Sequence, residues 1–584
     1  MIKNQNQIFQ EEFEKLNTEQ KRAVETTEGP VLVTAGPGTG KTQILAARIA
    51  KIISTADNKA EDILCLTYTD AGAIAMRKRL LQFIGPDAYK VEVQTFHAFC
   101  NLVIQENLDY FGLRGLDAVS ELEQISFVHK IIDNFEKDNP LKRYVGDVYY
   151  ETKKLLNLYD QMKRENWTAA FLHSHIDSYL EEIILSDELR YKRDSKYGKK
   201  GDLKVKEYNA IVERMMQLKA AADTLNTYQD LLKQNGRYDF SDMILWVIDA
   251  FKKKPEILSH YQEKYQYFLV DEYQDTSGAQ NEILQLLIQY WDSPNVFCVG
   301  DDDQSIYRFQ GANVENILSF KNKYIPYGLV EIPLINNYRS SQYILDAAKV
   351  LISNNNTSRI NPNKNLVAKN PDYANLDNAP TITEYHNLAH EAVGIAIQIE
   401  TLKKQGVKLN EIAVIYRKHA QADDIIKYLQ VKNIAVNTKK KIDILHEPLI
   451  KKIVQIMRYV SAEMHKAHTG EVFIYEILHY DFFNIPPIEI AKISVNVSNK
   501  NFNERKTSWR EEIKNAWSKR PSDLFTQNSQ QGKELMYASK VLEGWIQSGI
   551  NCTVQQIIEK IINESGILAQ CLTNADKRWN MQLL

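Results

Sequence analysis

The feature that most constrains this chain is a glycine-rich turn between a strand-like run and a helix-like run. Residues 30–34 (PVLVT) are a short apolar run typical of a buried strand, and residues 42–53 have helical periodicity. Between them, the glycines of AGPGTGK allow successive backbone N–H groups to turn inward on a phosphate without side-chain clashes. A strand, such a turn and a helix N-terminus together form the context of a phosphate-binding P-loop. We therefore predict a nucleotide-binding α/β domain.

The turn and the helix that follows it supply the predicted ligands of a nucleotide. Lys41 is expected to contact the β- and γ-phosphates of ATP, and the Thr42 hydroxyl to ligate Mg²⁺. Upstream, the Gln20 amide can both donate to and accept from an adenine edge, although in isolation it belongs to a helix cap. The predicted ATP-binding residues of this region are Gln20, Ala35, Gly36, Pro37, Gly38, Thr39, Gly40, Lys41 and Thr42.

Two acids follow a second strand-like run. Residues 267–270 (YFLV) are four apolar residues, and Asp271 and Glu272 come directly after them. Asp271 is expected to hold Mg²⁺, directly or through water. Glu272 is expected to polarise the attacking water as general base.

A run of polar residues follows a third strand-like segment, residues 295–299. A polar run at the end of a buried strand is costly unless its groups are satisfied, and Gln304 is suited to sensing a γ-phosphate. Just beyond it lie Tyr307 and Phe309, and aromatic side chains near a basic groove commonly stack on nucleic-acid bases. Core packing would explain either aromatic residue taken alone.

Strand-like runs, including those at residues 63–67 and 91–95, alternate with helix-like runs through the N-terminal part of the chain, which implies a parallel sheet covered on both faces. Between residues 100 and 235 long amphipathic helices dominate, and we predict an inserted helical domain. A second α/β unit is predicted from residue 329, with strand signals at 329–333, 381–385 and 411–416. From about residue 460 the pattern is again mostly helical.

Composition excludes several classes of protein but does not choose a partner. The formal charge of −3 means that any surface for nucleic acid must be local, with residues 190–206 (RYKRDSKYGKKGDLKVK) as the best candidate or else a solvated loop. The five cysteines are scattered, which argues against a zinc ribbon, an iron–sulfur cluster or a disulfide framework. They fit a reducing cytoplasm, and without a long apolar run or a signal peptide we expect no membrane partner.

Taken together, these segments resemble superfamily 1 helicases of the UvrD/Rep family. The matching segments, in chain order, are LNTEQ (16–20), AGPGTGKT (35–42), LTYTDAGAIAMRKRL (66–80), VQTFHAFC (93–100), YDFSDMI (238–244), VDEYQDTSGAQ (270–280), VGDDDQSIYRFQGA (299–312), LINNYRSS (334–341) and EIAVIYRKHAQADDI (411–425). The resemblance implies a P-loop α/β fold with RecA-like parallel sheets and large helical insertions. It also implies an ATP hydrolase that moves 3′ to 5′ on single-stranded DNA or a 3′-tailed duplex, with loading partners unknown.

The resemblance also assigns roles to individual residues. Tyr338 would stack on the adenine, and Arg339 would act as an arginine finger beside the catalytic residues Lys41, Glu272 and Gln304. The implied DNA-binding residues are Thr67, Thr95, Phe96, His97, Tyr307 and Phe309. Three positions depart from the common pattern: Gln43, Phe309 where tryptophan is common, and Gln310 where arginine is common.

By the same resemblance, the chain divides into the domains of a two-domain motor. The predicted domains are 1A (1–100 plus 233–330), the helical insertion 1B (101–232), the start of 2A (331–460) and an incomplete helical 2B insertion (461–584). The later motifs V and VI are not recognisable, and residues 465–473 echo motif V only loosely. We therefore expect a chain that stops inside the 2B insertion and hydrolyses ATP weakly by itself.

Two other functions are compatible with the sequence. The chain could be the motor part of an AddA-type helicase–nuclease, although the acids and lysine of a nuclease domain are not visible. It could also be a DNA-binding protein that uses ATP as a switch without moving. A passive switch is disfavoured because a pure binder needs neither a base nor an arginine finger. The chain nevertheless retains Lys41, Asp271, Glu272, Gln304 and Arg339.

Overall fold

In the computed structural model, a six-stranded parallel sheet organises the N-terminal part of the chain. Its strands are β1 (Val31–Ala35), β2 (Ile63–Thr67), β3 (Glu92–Thr95), β6 (Tyr267–Val270), β7 (Val296–Gly300) and β8 (Val330–Leu334), in the spatial order β3-β2-β6-β7-β1-β8. Two short parallel pairs join β4 (Asp117–Ala118) to β5 (Arg237–Tyr238), and β9 (Asn336–Asn337) to β10 (Val367–Ala368). The strands predicted at residues 30–34, 63–67, 91–95, 267–270 and 295–299 are confirmed within a residue at each end.

The chain divides into two units, Met1–Ile382 and Thr383–Leu584, and each is described by itself. The described residues are 5–54, 58–112, 115–194, 196–306, 315–359, 361, 364–374, 376–377, 379–438, 444–502, 507–518, 532–573 and 577–584. No helix within these ranges is both long enough and apolar enough to cross a lipid bilayer.

Helices cover both faces of the sheet in the first unit, as the nearly continuous burial of its strands requires. Their bounds are α1 (Gln5–Glu14), α2 (Thr18–Glu25), α3 (Lys41–Ser54), α4 (Asp70–Ile84), α5 (Phe96–Glu106), α6 (Leu108–Phe111), α7 (Glu121–Asp133), α8 (Thr152–Arg164), α9 (Ala169–Leu185), α10 (Val205–Gln234), α11 (Phe240–Lys253), α12 (Pro255–Lys264), α13 (Gly278–Ile288), α14 (Glu315–Tyr324) and α15 (Gln342–Ile352). Side chains of β1 alternate between two cores, because Val31 and Val33 pack with α3 and α4 whereas Leu32 packs with α5, α11 and α13.

The helical insertion forms its own core beside the sheet. Buried side chains of α7, α8 and α10, among them Val128, Tyr159 and Tyr228, pack together in it. The predicted boundary at residue 101 cuts through α5, since Cys100 and Val103 of that helix pack in the sheet core. Helix α5 begins where β3 ends and packs against the sheet, so the helical insertion begins only after this helix.

The second unit is helical. Its helices are α16 (Leu388–Lys404), α17 (His419–Val431), α18 (Pro448–His465), α19 (Glu471–Leu478), α20 (Pro487–Phe502), α21 (Trp509–Ser518), α22 (Lys533–Gly549), α23 (Val554–Glu564), α24 (Ile567–Thr573) and α25 (Lys577–Leu583). Helices α18 to α24 enclose a core around the fully buried Trp545, whose indole N–H donates to Glu564 Oε2 at 2.8 Å. Helices α16 and α17 share a smaller core that contains Ile399 and Leu429.

Three strand predictions after residue 320 need correction. The first, at 329–333, exists as β8 but pairs with β1 of the first sheet, so the predicted start of a second domain at 331 cuts through a strand of that sheet. The other two, at 381–385 and 411–416, carry no strand. These two segments are apolar enough for strands, but the structure describes no neighbouring strand that pairs with them, and Ile415 is 94 % exposed.

Candidate functional site

The P-loop connects β1 to α3 at the carboxyl edge of the sheet, where ligands of open α/β sheets bind. Gly38 and Gly40 have φ values of +67° and +89°, in the left-handed region that glycine adopts without strain. Thr39 Oγ1 donates to the Gly36 carbonyl at 2.8 Å, which closes the turn. Helix α3 begins at Lys41, so its first N–H groups and the positive end of its dipole lie next to the turn.

Replacing Gly38 with alanine is expected to abolish nucleotide binding and to lower the melting temperature. A Cβ at this position would lie 2.5 Å from the Cβ of Arg339, in addition to the strain of a positive φ. Gly328→Ala is the matched control, because Gly328 has a φ of +81° but no atom within 4 Å of the added Cβ. The control should lose only the strain energy of about 1–2 kcal/mol and keep nucleotide binding. Equal effects of the two substitutions on nucleotide binding would contradict the role of the close approach.

Lys41 forms an ion pair with Glu272 across the edge of the sheet. Lys41 follows β1 and Glu272 follows β6, with β7 between these two strands. The Lys41 side chain is only 11 % exposed, so its charge needs a partner at all times. The predicted phosphate-binding lysine and the predicted general base therefore belong to one site, while their catalytic roles stay predictions.

Glu272 has an unusual backbone for a residue other than glycine. Its φ and ψ values are +48° and +47°, and it precedes a short 3₁₀ helix, Tyr273–Asp275. Non-glycine residues in this region cost free energy and concentrate at functional sites. The Gln274 amide donates to Glu272 Oε2 at 2.9 Å, which fixes the direction of the carboxylate.

A cluster of acids surrounds this carboxylate. Burial raises the pKa of Asp271 to about 6, and the charge of Glu272 adds to that rise, against the opposite effect of Lys41. Burial and Glu272 likewise raise the pKa of Asp275 to about 6. Carboxylate oxygens are ligands that Mg²⁺ prefers, and the excess negative charge of these acids around Lys41 fits a divalent cation.

The residues after β8 are fastened to the P-loop. Asn337 Nδ2 donates to the Pro37 carbonyl, and the Tyr338 N–H donates to the Gly38 carbonyl at 2.9 Å. Asn337 Oδ1 in turn accepts from the backbone N–H groups of Arg339, at 2.9 Å, and Ser340, at 2.8 Å. The structure thus brings both Tyr338 and Arg339 next to the glycine turn.

Gln20 supports the turn from the other side. Its Nε2 donates to the Thr39 carbonyl at 2.9 Å, and its Oε1 accepts from the Asn17 N–H at 3.0 Å. The second of these bonds is half of the capping box of α2, so the helix-cap interpretation holds in the structure. A primary amide has two donors and two acceptor sites, so these bonds leave one of each for a base. The adenine-reading role of Gln20 stays a prediction.

Gln304 lies in the turn that follows β7. Its Nε2 donates to Asp301 Oδ2 at 2.7 Å within the short 3₁₀ helix Asp302–Gln304. The Asp301 N–H donates to Gln274 Oε1 at 2.9 Å, so one glutamine side chain bridges the ends of β6 and β7. The predicted sensor is therefore connected to Glu272 through protein hydrogen bonds. Tyr307, Phe309 and Gln310 lie outside the described residues.

Two adjoining cavities lie near the ends of β2 and β3. Their volumes are about 340 and 700 Å³, and both are lined by Tyr68, His97 and Phe240. Thr95 lines the larger cavity, and Arg164 of the helical insertion lines the smaller one. We call this pair of cavities the groove. Burial and the charge of Arg164 lower the pKa of His97, which favours its neutral form.

Two of the predicted DNA-binding residues do not line the groove. Phe96 is 2 % exposed and packs in the sheet core, so the structure does not place its side chain at the surface of the groove. Thr67 is also buried, and its hydroxyl donates to the Thr69 carbonyl at 3.1 Å. Helix α5 begins at Phe96, and successive helical residues point about 100° apart, so Phe96 faces the core and His97 faces the groove.

The groove also contains two aromatic residues for which no role was predicted. Phe240 is 63 % exposed and belongs to the segment YDFSDMI, and Tyr68 belongs to LTYTD. An aromatic residue inside a recognised motif is the signal in the sequence that could have identified both.

Comparison with known proteins decides the family. The chain matches the UvrD/REP helicase N-terminal domain over residues 16–325 and the UvrD-like helicase C-terminal domain over residues 332–564. The chain belongs to the UvrD/REP helicase family. The second match corrects the expectation that the later motifs are missing, because it extends over most of the sequence in which motifs V and VI were not recognised.

The curated relatives of this UvrD/REP family member are longer than the chain. It is 30 % identical over 408 residues to the ATP-dependent DNA helicase PcrA of Staphylococcus aureus (strain Mu50 / ATCC 700699). It is 31 % identical over 408 residues to the ATP-dependent DNA helicase PcrA of Staphylococcus epidermidis (strain ATCC 12228 / FDA PCI 1200). Each alignment covers 70 % of this chain and 48 % of the relative, so the chain spans about half the length of the curated relatives it matches.

Proposed function

We propose that this chain hydrolyses ATP at the P-loop edge of its sheet and uses the energy to move 3′ to 5′ along single-stranded DNA. The observation that carries the proposal is the contact of Lys41 with Glu272, a phosphate-binding lysine beside a candidate base. Relatives named as ATP-dependent DNA helicases support DNA as the track. A cytoplasmic location agrees with five cysteines that are all free thiols.

The nucleotide site would act through residues already in place. The P-loop N–H groups and Lys41 would hold the phosphates, and Tyr338 and Gln20 would hold the adenine. Thr42 and Asp271 would hold Mg²⁺, which neutralises phosphate charge when bound. Glu272 would take the proton of the attacking water, and Gln304 and Arg339 would contact the γ-phosphate as its charge develops.

Nucleotide binding requires the Lys41–Glu272 ion pair to separate. The Lys41 ammonium would exchange the carboxylate for phosphate oxygens, which keeps its buried charge paired throughout. The same exchange would release the Glu272 carboxylate to face a water molecule. The ion pair would therefore hold the base inactive until the triphosphate displaces it, which suits a motor that should not act without its substrate.

The groove would hold single-stranded DNA. Its walls combine the exposed ring of Phe240 with Tyr68 and the charge of Arg164, a combination that stacks bases and contacts phosphates. The groove reaches Asp275 of the acid cluster, so a strand there would lie beside the nucleotide site. A conformational change at Glu272 on ATP binding would therefore occur close to the bound DNA.

Phe240→Ala is expected to weaken single-stranded DNA binding by about 5- to 100-fold, because stacking contributes about 1–3 kcal/mol per base. The measurement is the fluorescence anisotropy of a labelled oligothymidylate. Tyr290→Ala is the control, since Tyr290 is also an exposed aromatic residue but precedes β7 at the opposite edge of the sheet. Unchanged affinity in Phe240→Ala would remove the groove from the proposal.

The proposed function is tested by ATP hydrolysis and strand separation by the chain as it exists. We expect single-stranded DNA to stimulate hydrolysis, and 3′-tailed duplexes to be unwound in preference to 5′-tailed ones. Hydrolysis that DNA does not stimulate would contradict a translocase and favour an ATP-switched binding protein. Preference for the 5′-tailed duplex would contradict the direction alone.

A further inference from the structure

Two buried basic side chains lie against the three consecutive aspartates that follow β7. Lys364 Nζ contacts Asp301 Oδ1 and lies 2.7 Å from Asp303 Oδ2. The Arg359 guanidinium donates to both carboxylate oxygens of Asp303, from Nε to Oδ1 at 2.7 Å and from Nη2 to Oδ2 at 2.8 Å. None of these side chains, nor that of Asp302, is more than 13 % exposed. Ionised groups at such depth persist only where their charges are paired.

The aspartates need these two cations. Carboxylate oxygens of Asp301, Asp302 and Asp303 lie within 4.8 Å of one another, so their ionised forms would repel. Burial would raise the pKa of Asp303, but hydrogen bonds from Arg359 and Lys364 outweigh that effect and lower it. The cluster is therefore a protein ion network in which the positive charge comes from side chains.

Asp301 connects this network to the nucleotide site. Its Oδ1 contacts Lys364, and its Oδ2 accepts from Gln304 Nε2 at 2.7 Å. Its backbone N–H donates to Gln274, which in turn donates to Glu272. The same carboxylate is thus held by a buried lysine on one side and holds the candidate γ-phosphate sensor on the other.

The chain segment that carries the two cations touches the other parts of the site as well. Leu366 packs on the P-loop so closely that a Cβ on Gly36 would lie 2.6 Å from its Cδ2. Strand β10 pairs with β9, and the Lys369 N–H donates to the Asn337 carbonyl at 2.7 Å. We call Arg359, Lys364, Leu366 and β10 the brace. The brace contacts Asp301 and Asp303, the P-loop and the residues that precede Arg339.

We propose that the brace is a positioning element for ATP hydrolysis, in which Lys364 sets the place of Gln304 through Asp301. This inference rests on the proposed function, because Gln304 needs a set position only if a γ-phosphate reacts beside it. Lys364 does not contact the nucleotide in this account. Its removal leaves Asp301 with an uncompensated buried charge, and the turn that carries Gln304 must rearrange to solvate that charge.

Lys364→Met is expected to lower kcat for DNA-stimulated ATP hydrolysis by about tenfold or more and to change KM for ATP by less than about threefold. Lys364→Arg, which keeps the charge, should recover most of the rate. Lys349→Met is the matched control, since Lys349 is an exposed lysine of α15 that the proposal gives no role and should behave as wild type. If Lys364→Met and the control lysine variant lost kcat and thermal stability to the same extent, the proposal would be overturned.

The decisive comparison is the double variant Lys364→Met with Gln304→Ala. If Lys364 acts through Gln304, the double variant loses no more kcat than Gln304→Ala alone, within about twofold. Losses that multiply would show independent roles and overturn the proposal. If Lys364→Met does not fold, Arg359→Gln replaces it, with a smaller loss in kcat that again should not add to that of Gln304→Ala.

The wild-type rate in the same assay separates this inference from the proposed function. A wild-type chain that hydrolyses no ATP overturns both. A wild-type chain that hydrolyses ATP, but whose kcat does not respond to Lys364→Met or Arg359→Gln, overturns the positioning role and leaves the proposed function standing.

Discussion

Glu272→Gln is expected to reduce DNA-stimulated ATP hydrolysis by about 10²- to 10⁴-fold, the range that general-base catalysis supplies. Glutamine has nearly the same shape and can still accept the hydrogen bond that Gln274 donates to this side chain. It cannot take a proton from water. The loss should therefore appear in kcat, and the substituted chain should still fold, with a lower melting temperature because the buried Lys41 charge loses its carboxylate partner.

Glu25→Gln provides the control for this substitution. Glu25 is an exposed glutamate at the end of α2, and its replacement should leave the rate unchanged. If Glu272→Gln kept more than about a third of the wild-type kcat, Glu272 would not be the general base. The same experiment on Asp275→Asn would then test the neighbouring acid, because burial raises the pKa of Asp275 to about 6.

Lys41→Ala is expected to lower kcat/KM for ATP by about 10³-fold or more, because it removes charge stabilisation in both the bound and the reacting states. Lys41 is the buried cation of the P-loop, and alanine leaves no donor to replace it. Single-stranded DNA binding without nucleotide should stay within about twofold of wild type, because Lys41 does not line the groove.

Lys137→Ala, at an exposed lysine of the helical insertion, is the control for charge removal. A motor loses hydrolysis and keeps its basal DNA affinity in Lys41→Ala. Hydrolysis at the wild-type rate in Lys41→Ala would contradict the assignment of the site.

The sheet was predictable where local pattern and burial agree. Runs such as residues 63–67 and 267–270 are apolar throughout, because strands of a parallel sheet are buried on both faces. Pattern does not say which strand pairs with which. The run at 329–333 therefore looked like the start of a new domain, although it completes the first sheet beside β1. Likewise, residues 411–416 have the composition of a strand and no described partner.

The nucleotide site was predictable in part for a related reason. The P-loop and the acid pair are short, contiguous motifs, so their chemistry can be predicted from neighbouring residues in the sequence. Asn337 and Lys364 act on residues that are distant in sequence, such as Pro37 and Asp301, and only the fold brings them together. Phe96 shows a different limit of motifs, since a residue inside a matching motif can face the core.

We propose that Lys41 and Glu272 exchange their mutual ion pair for separate roles when ATP binds. The most direct test is the Kd for a non-hydrolysable ATP analogue with Mg²⁺, measured by calorimetry on the wild type, Lys41→Ala and Glu272→Gln. Lys41→Ala should bind about 10- to 100-fold more weakly, the value of a hydrogen-bonded charge, and Glu272→Gln should bind as tightly as wild type or more tightly, because nothing competes for Lys41. Equal weakening in both variants, or an unchanged Kd in Lys41→Ala, would contradict it.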